Sequence, residues 1–420
     1  MALIDIIVIG GGPAGLAAAY ACNAHGLSTL LIERGKIAEA RQRDNRHDIT
    51  AGIGGAGLYS DGKFSFYPSA TQLWRLRPEA ILREAYEWYS NLLRAFDFDC
   101  PPLPQIHPEI APRKGSAQFF SKDYLSKYLT FDERARLIST LTEPIQQRMR
   151  TDLEVVDITP NETHVTLIGR DTNGQLHSFS AQIGVVVASG RFGSLMLRNQ
   201  FPREKFSFKR LEVGVRLEQP AEKFFLRNSP TIDPKRIWYD DGIAAEWRTF
   251  CCCREGEVIC SRSDNILSVS GRADGPRTSR SSVGVHVRVL DESTAARAWA
   301  YLRPQLDKLT EPITEPLSTF LSNAHSEIGI VLGPDISSLL RRGTEELLVH
   351  FPSASVDARL HAPTLEGVGY YPNLDEHLAF GSDRIMVAGD ATGLFRGITA
   401  ALVSGYFCGV CLARKTEAER

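Results

Sequence analysis

The chain has 420 residues, enough for more than one hydrophobic core, and its 43% apolar and 23% charged content is ordinary for a folded globular protein. A formal net charge of −2 speaks against a nucleic-acid partner or a polybasic membrane contact. No run of about 18 apolar residues is evident, and the N-terminus lacks a basic segment with a cleavage site, so no spanning helix and a cytoplasmic location are expected. The eight cysteines read as intracellular thiols rather than a disulfide framework.

The N-terminal run Leu3–Ile9 is nearly all apolar, as in a parallel strand buried on both faces. Gly10-Gly11-Gly12-Pro13-Ala14-Gly15 follows, then a helix of small residues, then a second strand, Leu27–Ile32, ending on Glu33. This is the order that dinucleotide binding requires. Gly10 permits a tight turn, Gly12 lets a pyrophosphate approach the backbone, and Gly15 allows close packing of helix on sheet. The helix start, at Pro13 and Ala14, presents partial positive charge to phosphates, with amide N–H donors from Ala14 onward. Glu33, roughly 20 residues past the glycines, is placed to accept from a ribose diol.

The basic segment Arg34–Asn45 reads as a solvated loop or as a source of cations for the same phosphates, with Arg34 and Arg41 as candidates. The next stretch, Gly52–Ser65, carries four glycines within its first six residues, at 52, 54, 55 and 57, too many for a helix or strand interior. Its backbone must press against a ligand or another element.

Gly54-Gly55-Ala56-Gly57 followed by Ser60-Asp61-Gly62-Lys63 resembles the signature of a family of FAD-dependent dehydrogenases. That family is related to the glutathione-reductase-type and geranylgeranyl-reductase-type flavoproteins. The resemblance implies that Gly54, Gly55, Ala56 and Ser60 run beside the ribityl chain and flavin ring. It is concentrated in residues 10–33, 54–63, 185–191 and 389–398.

Downstream, Pro78–Phe96, Ser121–Leu129 and Phe131–Met149 have helical patterns, around a proline-rich loop Pro101–Pro112. Trp74, Tyr86, Trp88 and Tyr89 read as core. From Leu153 the period becomes that of strands: Leu153–Ile158, His164–Gly169 and Leu176–Ile183 form a meander, and Val185–Ser189 is a buried strand before Gly190 and Arg191. By resemblance, the backbone of Val155 lies near the adenine, and Ser189 and Gly190 close the strand end.

Leu211–Val289 is strand-rich and reads as the antiparallel sheet of a second, substrate-side domain, followed by helical stretches Ser293–Leu309 and Ser337–His350. Glu366, Tyr370 and Tyr371, from the segment Glu366 to Pro372, read as pocket candidates, with half-buried loop aromatics as the alternative for the two tyrosines. Arg384–Ala388 is a buried strand that ends in Gly389-Asp390-Ala391-Thr392-Gly393-Leu394-Phe395-Arg396-Gly397, and the helix Ile398–Ala413 closes the chain. By resemblance, Asp390 bonds a ribityl hydroxyl beside Gly389. Gly397 and Ile398 then aim a helix start at the flavin pyrimidine edge.

The expected architecture is therefore α/β. A Rossmann-like FAD-binding domain with a β-meander is drawn from residues 1–65, 120–200 and 376–420. A helical insertion spans 66–119, and an α+β substrate domain with an antiparallel sheet spans 201–375. No second glycine motif follows a strand after residue 100, so NAD(P)H, if used, binds as a transient electron donor, or electrons come from another donor. Neither Cys408-Gly409-Val410-Cys411 nor Cys251-Cys252-Cys253 has a compelling redox context, and alternation would place Cys251 and Cys253 on one sheet face. No cysteine or histidine cluster has zinc spacing, so no metal is expected.

The expected function is an FAD-dependent oxidoreductase moving hydride between a small organic substrate and the flavin, with Arg396, Tyr371 and Arg248 as pocket candidates. The alternatives are a single-component FAD monooxygenase and a non-catalytic FAD-binding protein.

Overall fold

The computed structural model describes residues 4–105, 119–263, 265–322 and 326–419. The proline-rich stretch Pro101–Pro112 lies partly outside them. The chain forms two compact units, one from residues 1–107, 128–207 and 371–420, the other from residues 108–127 and 208–370.

The first unit is built on a mainly parallel sheet. Its path runs Ala379–Phe380, Ser382–Val387, Leu176–Val187, Ile4–Ile9, Thr29–Ile32, Met149–Arg150. Register aligns Ile385 with Val185, Val185 with Ile7, and Ile7 with Leu30. Three members of that row, Ile385, Val185 and Ile7, are wholly buried, which is why these runs are continuously apolar rather than alternating. Burying each such side chain contributes about 1.5–3 kcal/mol. The aligned carboxyl ends of these strands open toward the glycine turn, where an open α/β sheet binds its ligand.

Two strands expected as separate are one. Leu176–Val187 pairs with Val165–Asp171 in its first half and with the parallel sheet in its second, so the meander grows directly out of the core strand.

The first helix, Pro13–Ala24, packs on the closing helix, Ile398–Glu419, through small residues. A Cβ on Gly405 would stand 2.0 Å from the Ala14 carbonyl oxygen, and one on Gly409 2.7 Å from that of Ala18. Ile398–Lys415 is long and apolar enough to cross a membrane by length and composition, but 78% of it is buried inside the fold. The same burial accounts for Cys408 and Cys411. Loss of hydration holds Cys408 well above the usual thiol range and pushes Cys411 up to about 12, so neither offers a thiolate. Trp88 stacks on Tyr406 at 4.3 Å between ring centroids, and Trp74, Tyr86 and Tyr89 are buried.

The helix expected over Ser121–Leu129 is instead two short strands, Phe120–Lys122 and Ser126–Tyr128. The former pairs with Lys235–Asp240, a long-range contact that local periodicity does not carry. The next helix ends at Thr142, where Glu143–Arg148 tightens into a 3-10 helix with Pro144 in its first turn.

The second unit holds a seven-stranded sheet in the order Ile313–Pro316, Arg359–Pro372, Phe206–Pro220, Arg280–Val289, Ala245–Cys253, Lys235–Asp240, Phe120–Lys122. One face is apolar: Val213, Val215, Leu217, Val283, Val285 and Val287 are buried. The helical segment Glu327–His350, broken at Gly333 (φ 79°, ψ 169°), contributes to that side, its Leu339 carbonyl accepting from the Trp247 indole at 2.9 Å. The stretch Glu366–Pro372 belongs to the long strand Arg359–Pro372, with a left-handed Gly369 at φ 90° within it, so Tyr370 and Tyr371 stand on a strand rather than in a loop.

At Cys251–Cys253 the ladder slips between Phe250 and Cys253, and Cys251 sits at φ 49°. The Cys251 and Cys253 sulfurs nonetheless lie within 4.8 Å of one another. Cys252 and Cys253 are both buried, and Cys252 packs with Phe224, Leu226 and Val283.

Candidate nucleotide-binding site

The site is assembled wholly within the first unit, where the glycine turn leaves the Ile4–Ile9 strand. Gly10 has φ 103°, and a Cβ there would lie 2.5 Å from the Ala188 carbonyl oxygen. Position 10 thus demands glycine on both conformational and packing grounds. Gly12 differs. Its φ of −74° and ψ of 177° suit any residue, and the nearest atom to an added Cβ is the Gly55 Cα at 3.8 Å. Neither backbone nor packing requires glycine at 12. What remains is the bare approach to the start of the first helix, whose leading amides have no intrahelical acceptors.

Glu33 is buried at the end of the second strand. One oxygen accepts from Gly11 N at 2.6 Å, the other from Gly35 N at 2.8 Å and Gly52 N at 2.9 Å. The carboxylate therefore ties three loop segments together. A carboxylate has about four acceptor positions, so capacity is left for a ligand hydroxyl.

The second glycine stretch presses on the first turn. Gly54 N donates to Gly11 O at 2.8 Å, a Cβ on Gly55 would lie 2.8 Å from Gly12 Cα, and one on Gly57 would lie 2.7 Å from the Pro13 ring. The neighbour that the glycine density demanded is, at 55 and 57, another piece of the chain. Ala56 is exposed, and the Ser60 hydroxyl donates to Gly57 O at 3.0 Å and accepts from Gly62 N at 3.2 Å.

Two arginines brace this stretch. Arg41 is buried; its Nε donates to Asp48 O at 2.9 Å, Nη1 to Ile53 O at 2.6 Å and Nη2 to Gly55 O at 2.8 Å, with Tyr59 beneath its guanidinium. Burial lowers its pKa to about 10. Its donors point inward to loop carbonyls, whereas Arg34 is exposed. Arg134 was not anticipated. It donates to Leu58 O at 3.1 Å, Leu129 O at 2.6 Å and Ser60 O at 3.0 Å. Its helix begins at a capping box in which Thr130 and Glu133 bond reciprocally, a Thr-x-x-Glu signal that the sequence does display.

The remaining candidates come from the strand ends. Val155 is buried in the meander. Ser189 Oγ is buried and has no hydrogen-bond partner among the described residues, and a Cβ on the neighbouring Gly190 would meet nothing within 4 Å. Gly389 N donates to Ser404 Oγ at 3.0 Å, which fixes the turn that carries half-buried Asp390. Gly397, at φ 99°, leads into the closing helix at Ile398, with open space where a side chain would stand. Tyr371 is buried with its ring against Gly393, where a Cβ would lie 2.2 Å from it, so it shapes the turn before half-buried Arg396. Arg248 belongs to the second unit and is not part of this assembly.

An FAD pyrophosphate and ribose fit these residues: a bare Gly12 over open helix amides, spare capacity on Glu33, and an orphan buried hydroxyl at Ser189.

Residues 5–109 match the family model for FAD dependent oxidoreductases. No curated protein matches the chain in sequence. Among solved structures, the chain is similar to a geranylgeranyl bacteriochlorophyll reductase-like protein from Thermoplasma acidophilum, at 13% identity over 99% of this chain and 79% of that one, TM-score 0.43. It is also similar to a flavoprotein/dehydrogenase from Cytophaga hutchinsonii, at 14% identity over 99% and 79%, TM-score 0.39. A third is a flavin-dependent brominase, at 12% identity over 99% and 80%, TM-score 0.43.

Proposed function

We propose that the chain is an FAD-dependent oxidoreductase that transfers hydride between a small organic substrate and its flavin. The observation that carries the reading is Gly12, bare although neither its backbone angles nor its packing requires glycine. Backbone N–H groups at the start of the first helix would bind the pyrophosphate, and Glu33 would hold the adenosine ribose. Asp390 would bond the ribityl chain. The start of the closing helix at Ile398 would place amide donors near the pyrimidine edge, where they favour negative charge without a cation. When bound, FAD supplies the two-electron chemistry. The protein's part is binding, orientation and exclusion of water. Electrons arrive from the substrate itself or from a nicotinamide that binds transiently.

The test is reconstitution with FAD, followed by anaerobic mixing with NADH, NADPH and candidate alcohols and amines while flavin absorbance is followed. Bleaching by any of them supports the reading. Incorporation of labelled oxygen into product would move the assignment to a monooxygenase. Failure to retain FAD under any condition would overturn it.

A further inference from the structure

The polar face of the second unit's sheet carries a compact group of charges. Register sets Glu212 opposite Arg288, Arg288 opposite Glu246, Arg248 opposite His286, and Tyr239 opposite Glu246. Residues paired across an antiparallel ladder share a face, and so do residues two apart on a strand. Lys235, Arg248 and Arg288 therefore stand on one face, on three successive strands. Glu212 accepts from Arg288 at 2.8 Å and Arg210 at 3.1 Å. Glu246 accepts from Arg248 Nε at 2.7 Å and lies 3.5 Å from Arg288 Nη1. Both acids are buried, as is Arg248 at 8% exposure.

The donors are not used up. Arg248 spends Nε and Nη2 on the same Glu246 oxygen, and its Nη1 makes no hydrogen bond among the described residues. Arg288 Nη2 and Lys235 Nζ make none among them either. Two acids act on Lys235 and both have other partners: Asp233 accepts from Cys252 N at 2.8 Å and from the Tyr124 hydroxyl at 2.9 Å, and Glu212 from Arg288 and Arg210. Across the ladder, Lys235 faces Lys122 rather than an acid.

Buried cations are ordinarily paired. Here loss of hydration, then Arg248 and Arg288, hold the Lys235 ammonium well below its usual range. Loss of hydration, then Arg288, do the same to Arg248. An anion between them would reverse both effects.

We propose that this face is a binding site for an organic carboxylate, held by Arg248, Arg288 and Lys235. A planar carboxylate matches the guanidinium fork, and the ammonium adds a charge without a fixed direction. Glu212 and Glu246 orient the two guanidiniums and leave their outer donors for the ligand. Calling the ligand a substrate rests on the oxidoreductase reading above; the site itself does not.

The test is calorimetric titration of the FAD-reconstituted protein with acetate, succinate and inorganic phosphate, with flavin content measured separately. The carboxylates should bind. Lys235→Met, which removes no hydrogen bond among the described residues, and Arg248→Gln should each weaken them by about tenfold or more. Lys223→Met, at an exposed pair with Asp357, should leave affinity unchanged. Absence of carboxylate binding in a protein carrying full flavin overturns this inference and leaves the oxidoreductase reading standing. Binding of phosphate alone also overturns it. Carboxylate binding in a protein that cannot hold FAD supports the site and sinks the oxidoreductase reading.

Discussion

A methyl group on Gly15 would stand 1.8 Å from the carbonyl oxygen of Gly10, whereas one on Gly12, between them, would touch nothing closer than 3.8 Å. Three glycines of one motif thus have different reasons to be glycine. Gly10 is needed for a left-handed turn against Ala188, Gly15 to seat the helix on that turn, and Gly12 to keep the approach to the helix start open.

Gly15→Ala should therefore lower stability by about 3 kcal/mol or more, because backbone rather than a flexible side chain opposes the methyl. Gly12→Ala should unfold within about 1 kcal/mol of wild type and bind FAD far more weakly. Thermal unfolding without flavin, beside flavin titration, separates the two. Equal destabilisation by both substitutions would contradict the assignment.

Ser189→Ala removes a buried hydroxyl that has no partner among the described residues, so folding should be unchanged within about 1 kcal/mol or slightly improved. Flavin affinity should fall. A loss of stability with normal flavin binding would show that the hydroxyl serves the fold instead.

Arg134→Ala strips donors from the carbonyls of Leu58, Leu129 and Ser60. Buried acceptors left without partners cost about 1–3 kcal/mol each, and partial entry of water should hold the total to about 2–4 kcal/mol. Limited proteolysis should show new cleavage within Gly52–Ser65. Arg134→Lys should rescue only part of this, because an ammonium cannot reproduce the fork.

In the second unit, burial alone would raise the Glu218 carboxyl. Its bonds from His361 at 3.3 Å and Arg280 at 3.0 Å outweigh that and hold it below the ordinary 4.5. A depressed folded-state pKa means that the ionised form is favoured by folding. Its contribution is present above the unfolded value and is lost as pH falls through the folded one. Unfolding midpoints of wild type and Glu218→Gln should differ at neutral pH and converge as pH falls through the folded-state value, which lies under 4.5. Parallel curves across that range would contradict the assignment.

Gly405→Ala places a methyl 2.0 Å from the Ala14 carbonyl oxygen, at the seam between the first and closing helices. Overpacking of this kind should lower stability by about 1–3 kcal/mol or more. Because Ala14 lies in the first turn of the helix that would carry the phosphates, flavin affinity should fall with it. Equilibrium unfolding and flavin titration report the two effects.

The first βαβ unit was legible because every part of it is local: an apolar run, glycines at fixed offsets, small residues on a helix, and an acid at the end of the next strand. The closing strand and helix were legible for the same reason. The strand Phe120–Lys122 was not, because its conformation is set by pairing with Lys235–Asp240, more than a hundred residues away. The inward role of Arg41 and the bracing by Arg134 were also hidden. Which carbonyls a guanidinium meets depends on how loops fold back, and no spacing rule reports it. The apolarity of Ile398–Lys415 was ambiguous in the same way, since only its packing on the first helix shows what it is buried against. Local periodicity and turn chemistry therefore determined the nucleotide-binding motif and the class of fold. Only tertiary structure brought Lys235, Arg248 and Arg288 onto one sheet face, because cross-strand register joins residues that no period in the chain connects.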